Sequence, residues 1–169
     1  MSALHQKDSY KIDHRQQYAP GTSLIYSNFT ARSNKNANVP GNSVTFIGLQ
    51  YFIMDYLINE WNDSFFNKPK ESVVKKYQHR VSNILGYTVN VDHIYALHDL
   101  GYLPVKICAV PEGLVVPVSN VLMTVVNTDP NCAWLTNALE SLLTHVWYPS
   151  TVATQSFACK QMFKEFLVK

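Results

Sequence analysis

The stretch Leu103 to Thr128, LPVKICAVPEGLVVPVSNVLMTVVNT, constrains the fold more than any other. It is crowded with Val, Ile, Leu and Pro, and turn residues interrupt it at Pro111-Glu112-Gly113 and again from Pro117 to Asn120. β-branched residues suit a pleated surface, and proline inside a ladder removes a donor, so the stretch predicts two or three short strands. Its most apolar portion, Leu114 to Val126, is broken by Pro117, Ser119, Asn120 and Thr124 and is too short to span a bilayer.

Helical periodicity surrounds this block. Leu49, Phe52, Ile53, Tyr56, Leu57 and Trp61 recur at spacings of three and four and predict a helix from Leu49 to Trp61. A loop is expected around Asn62 to Pro69. A second amphipathic helix runs over Lys70 to Leu85, with Val73, Val74, Tyr77, Val81 and Leu85 as its stripe and Gly86 as its stop. Asp92 reads as the N-cap of a short helix closed by Gly101. Upstream, Leu24 to Ala31 and Ser43 to Ile47 read as strands, with Gly48 as a hinge into the helix. After Asn127 to Asn131, a helix is expected from about Cys132 to Val146, broken at Trp147-Tyr148-Pro149, and a last helix capped by Ser150 or Thr151. Strands and helices come in runs, not strict alternation, so the class is α+β.

Composition excludes several functions. The chain has 169 residues, 47% apolar and 15% charged, enough to bury a core. A net charge of +2, from 14 basic and 12 acidic side chains, is too balanced for a nucleic-acid or membrane footprint. Cys108, Cys132 and Cys159 are widely spaced and read as small buried hydrophobes, and with no secretory signal in MSALHQKDSY a cytoplasmic protein is expected. GxxxxGK[ST], GxGxxG and GxSxG do not occur. His93 and His98 are five apart, the wrong spacing for a metal pair, and read as surface or core-edge histidines. Glu140, between Leu139 and Leu142, reads equally as a buried acid or as a capped or paired structural one.

The opening DSYKIDHRQQY (8 to 18) has the polarity of a solvated lead-in but is built from residues that bind anions and rings. Taken with the following residues to Arg32, with FIGLQYFI (46 to 53), PEGLVVPVSNVL (111 to 122) and TVVNTDPNCAWLTNALESLLTHVWYPSTVAT (124 to 154), it resembles the amino-terminal part of the nicotinamide phosphoribosyltransferase family. These segments fall in the family's order from Asp8 to about Ser156.

The resemblance implies a type II phosphoribosyltransferase, with an amino-terminal α+β domain and a carboxy-terminal α/β barrel that this chain lacks. It implies an enzyme that converts nicotinamide and 5-phosphoribosyl 1-pyrophosphate to nicotinamide mononucleotide and pyrophosphate in NAD salvage, working as a head-to-tail homodimer. Mg²⁺ and ATP are expected for the full-length enzyme and none for this segment alone; neither nucleic acid nor membrane is a partner. Residues 1–7 are expected to be a disordered tail, 8–149 the α+β domain, and 150–169 a helix leading into the barrel.

Of the family's site, Asp8 and Tyr10 match residues that reach into the partner subunit's nicotinamide pocket, and Arg32 matches an arginine on phosphate. A tyrosine face suits a pyridine, a carboxylate accepts from a carboxamide, and a guanidinium fork fits phosphate oxygens. Lys11 and Arg15 read as surface cations. No catalytic residue and no metal ligand is assigned to this segment, the family's phosphorylated His lies in the barrel, and the chain alone is expected to be inactive. The alternatives are a non-catalytic dimerisation or interaction module, or a segment of a nicotinate-type enzyme. The apolar stripe of the last helix (Val152, Cys159, Phe163, Phe166) is expected to be uncovered and sticky.

Overall fold

The computed structural model describes residues 2–168. Helices and antiparallel strands are mixed in one chain, as the α+β class requires. The Val-rich block supplies three of five strands, β3 (Val105–Ala109), β4 (Val115–Pro117) and β5 (Val121–Asn127); the others are β1 (Tyr26–Thr30) and β2 (Ser43–Thr45). β5 lies centrally in a three-stranded sheet of order β1-β5-β3, with Tyr26 opposite Val126 and Ile107 opposite Val125. β2 and β4 form a separate antiparallel pair in which Val44 faces Val116. The one polar residue buried on β5, Asn127, is fully used: it accepts from the Ile25 amide at 2.8 Å and donates to the Ser23 and Asp129 carbonyls, each at 2.9 Å.

Among the described residues six α-helices accompany the strands: α1 (His14–Gln17), α2 (Leu49–Tyr51), α3 (Lys70–Leu85), α4 (Asp92–Leu100), α5 (Ala133–Leu143) and α6 (Trp147–Leu167). α2 continues without a break into wider π-helical turns at Phe52–Glu60 and Asn62–Phe66, so the segment expected to be a loop after Trp61 is helical to Phe66. Phe65, fully buried, is the reason: it meets Trp61 edge-on, with ring centres 5.6 Å apart, and extends the core by another turn. α3 has the expected bounds, buries Val74, Tyr77 and Val81, and ends at Gly86 in the left-handed region, φ +79°. Asp92 is not a cap. It is the first helical residue after Val91 at the cap position, and Asn90 Oδ1 accepts from the Asp92 amide at 3.0 Å in an Asx turn that leads into the helix.

Two further expectations are corrected. Residues 2–7 are no disordered tail: Ala3–His5 form a 3₁₀ turn, Ala3 and Leu4 are buried, and the Ala3 amide donates to Ser64 Oγ at 2.8 Å. An apolar Ala-Leu pair can anchor a chain end that composition alone would leave free. Trp147-Tyr148-Pro149 does not break the helical run either, because α6 begins at Trp147 after a 3₁₀ turn at Thr144–Val146. Pro149 falls in the first turn, where its missing N–H would have had no helical partner. Cys132 is buried as expected, but Cys108 and Cys159 are exposed. No helix among the described residues is long and apolar enough to cross a membrane.

Candidate functional site

Asn137, Glu140 and Ser141 lie three and four residues apart on α5, which puts them on one face of a largely apolar helix. The opening segment is laid against that face. Asn137 Nδ2 donates to Tyr18 Oη at 2.7 Å. Ser141 Oγ accepts from the Asp8 amide at 2.9 Å and donates to Asp8 Oδ2 at 2.7 Å. Glu140 Oε2 pairs with the Lys11 ammonium, while Glu140 Oε1 accepts from Ser27 Oγ on β1 at 2.8 Å.

Lys11 is thus not the surface cation its composition suggests. Its side chain is only 6% exposed, and a charge taken so far out of water needs a counter-charge. Glu140 provides it, which settles the two ways of reading that acid: it is a paired residue at the edge of the core. What could have signalled this is the pair Glu140-Ser141 itself, a polar break in a helix whose other residues are largely buried.

Tyr10 behaves in the opposite way. It belongs to the 3₁₀ turn Ser9–Ile12, whose Lys11 is fastened inward, yet Tyr10 is 63% exposed. His14, 5.4 Å away ring to ring, and the Lys11 ammonium, 5.6 Å from the ring centre, lie beside it. Asp8 borders a cleft of about 450 Å³ with Phe52, Tyr56, Ser141 and His145. Phe52 stacks there on Tyr56 at 5.5 Å and on His145 at 6.5 Å.

Arg32 follows β1 and is exposed. It lines a second cleft, about 460 Å³, with Ser27, Thr30, Met123 and Glu140. The turn between β4 and β5 fixes its backbone: Ser119, in the left-handed region at φ +67°, donates its amide to the Ala31 carbonyl at 2.7 Å. The two clefts lie beside successive α5 residues, Ser141 lining the one that Asp8 borders and Glu140 the one that Arg32 lines, whereas Tyr10 lines neither. Arg15 is exposed on α1.

On the other side of the opening segment, Lys7 sits over Tyr77 and Trp134, 5.5 and 5.8 Å from their ring centres, and burial pulls its ammonium down to about 8. Burial, reinforced by Arg15 and Lys7, pulls His93 down to about 3, keeping it neutral against Trp134 at 4.9 Å. His98 packs edge-on to Phe65 at 5.0 Å. Among the described residues no three His, Cys, Asp or Glu side chains converge to hold a metal ion.

Comparison with known proteins identifies the family. Residues 2–107 match the family described as nicotinamide phosphoribosyltransferase, N-terminal domain. A nicotinamide phosphoribosyltransferase from Acinetobacter baylyi is 45% identical across the whole of this chain, and one from Xanthomonas campestris is 36% identical across 95% of it. The chain covers 34% and 32% of those proteins, about a third of their length. The chain belongs to the nicotinamide phosphoribosyltransferase family, and the matched portion is its amino-terminal domain.

Proposed function

We propose that the chain supplies the amino-terminal share of a pentosyltransferase site that joins nicotinamide to 5-phosphoribosyl 1-pyrophosphate, releasing pyrophosphate and forming nicotinamide mononucleotide. On this reading the α+β domain is the amino-terminal part of a type II phosphoribosyltransferase, whose barrel completes the site. In a head-to-tail homodimer, Tyr10 lays its ring on the pyridine in the partner subunit's pocket. Asp8 keeps Oδ1 for the carboxamide while Oδ2 is held by Ser141. Arg32 offers its guanidinium to phosphate oxygens, and its exposure leaves the fork open to them. The pyridine nitrogen attacks the anomeric carbon as pyrophosphate departs, a displacement that rests on placement and charge and needs no protein nucleophile. The three thiols, none in a disulfide, favour a reducing cytoplasm.

Tyr10 carries this inference: a large aromatic left 63% exposed on a segment whose neighbours on both sides are fastened to the core. Aromatics held rigid and uncovered are what a stacked ligand needs.

A fusion of this chain to the remaining two-thirds of the Acinetobacter baylyi relative tests it. The fusion is expected to form nicotinamide mononucleotide, while the 169-residue chain alone forms none. Tyr10→Ala in the fusion is expected to lower kcat/KM for nicotinamide roughly 100-fold, the scale of a lost stacking and positioning contact. Mixed dimers of the Tyr10→Ala fusion with a fusion inactivated in its barrel portion should recover about a quarter of the activity, because one site in each heterodimer is then whole. Turnover by the isolated chain, or no recovery on mixing, would refute it.

A further inference from the structure

Glu140 joins elements that a substrate needs at a fixed separation. Its Oε2 holds Lys11, next to Tyr10; its Oε1 holds Ser27 of β1, the strand that leads to Arg32. Ser27, Glu140 and Arg32 all line the same cleft. One residue along α5, Ser141 grips Asp8 through both its amide and its carboxylate.

The distribution of burial shows which partner is the fixed one. The Lys11 side chain is 6% exposed and that of Glu140 35%. Glu140 has solvent available and could point outward; Lys11 has no such choice, and without the carboxylate its ammonium is stranded. A carboxylate with one oxygen committed to each of two elements sets their spacing more tightly than either bond alone.

We propose that Glu140, seconded by Ser141, is a positioning residue that locks the Asp8–Tyr10 segment and the Arg32-bearing strand to each other through α5. Ring recognition and phosphate recognition are thereby offered at one set distance. The proposal rests on the roles given above to Tyr10 and Arg32, and it extends them to a residue that touches no substrate.

Glu140→Gln keeps the shape and an acceptor for Ser27 but removes the counter-charge of Lys11. In the chain itself, hydrogen exchange followed by mass spectrometry should quicken over residues 8–12 and 26–32, with α3 as protected as before. In the fusion, KM for both substrates should rise about 10-fold with kcat within about twofold, since misplacement weakens contacts without deleting a reacting group. Lys11→Glu combined with Glu140→Lys should restore both readouts. If Glu140→Gln does not fold, Ser27→Ala removes a single arm and is read over 26–32 in the same way.

Exchange that is unchanged in both segments, or raised equally in α3, overturns the proposal. So does faster exchange with unaltered KM, which leaves Glu140 structural only. Silence of Tyr10→Ala and Arg32→Ala in the fusion would instead sink the functional assignment beneath it.

Discussion

A single added methyl group would collide at Gly48. The backbone there is left-handed, φ +101°, and a Cβ would lie 2.6 Å from Pro149 Cγ and 3.0 Å from Pro149 Cβ. A proline ring cannot swing aside, so strain and overlap add. Gly48→Ala is expected to cost about 3 kcal/mol in urea unfolding. Gly86→Ala, at φ +79° with nothing within 4 Å, meets strain alone and should cost about 1 kcal/mol. Equal losses at the two positions would show that the Pro149 contact does not exist. A second expectation at this scale concerns His93, held down to about 3 by burial first and then by Arg15 and Lys7. The unfolded chain accepts a proton at the ordinary histidine value, so between about 3 and 6.5 it binds more protons than the folded one. Stability is therefore full above that window and falls as pH drops through it. The protein should be about 2 kcal/mol less stable at pH 5 than at pH 7.5 on account of His93, as 1.36 kcal/mol per unit implies. His93→Phe should remove that contribution, while half-buried His5, pulled down to about 4 mainly by burial, keeps a separate, solvent-weakened decline of the same sign over the same window. A slope identical in the variant would mean that His93 is protonated in the fold.

At the scale of elements, what the sequence discloses depends on whether an element is organised by its own residues. α3 declares itself: Val74, Tyr77 and Val81 at helical spacing, then a glycine in the left-handed region. β3, β4 and β5 are equally visible, because Pro111-Glu112-Gly113 and Pro117 to Asn120 separate them. The misjudged places are governed by partners far along the chain. Helix continues past Trp61 because Phe65 finds a buried pocket, and Lys11 goes inward because Glu140, more than a hundred residues away, waits there. Of the proposed site, the resemblance pointed to Asp8, Tyr10 and Arg32, but not to the α5 face whose Ser141 binds Asp8 and whose Glu140 lines the Arg32 cleft. Ser150 shows the same logic. It reads as a helix cap, yet its hydroxyl accepts from the Ile47 amide at 3.2 Å and donates to the Ile47 carbonyl at 3.1 Å, while Thr154 Oγ1 accepts from the Thr45 amide at 2.9 Å. These hydroxyls dock α6 onto the outgoing end of β2 in place of a further strand. Ser150→Ala leaves two Ile47 groups unpaired and is expected to cost about 2 kcal/mol, with faster amide exchange at Ile47. A change confined to the first turn of α6 would mean that Ser150 is only a cap.

Over the whole molecule, burial is lopsided. The core gathers between α2, α3, α4, α5 and the sheet, whereas α6 buries only Ser150. Beyond Thr154 the helix leaves the body, and Phe157, Met162, Phe163, Phe166 and Leu167 are exposed by 43%, 46%, 68%, 77% and 85%. Cys159, Phe163 and Leu167 edge a shallow apolar groove along it. Uncovered aromatic surface of this extent favours contact with another apolar face, since each buried side chain returns about 1.5–3 kcal/mol. In the isolated chain the available face is that of a second copy. Sedimentation velocity at rising concentration should therefore show reversible self-association. Phe163→Glu with Phe166→Glu should return the chain to a monomer without shifting its thermal midpoint, because neither side chain supports the core. A wild-type chain that stays monomeric throughout would show that the α6 face is not adhesive. A lowered midpoint in the doubly substituted chain would mean that α6 folds back on the body more closely than its exposure indicates.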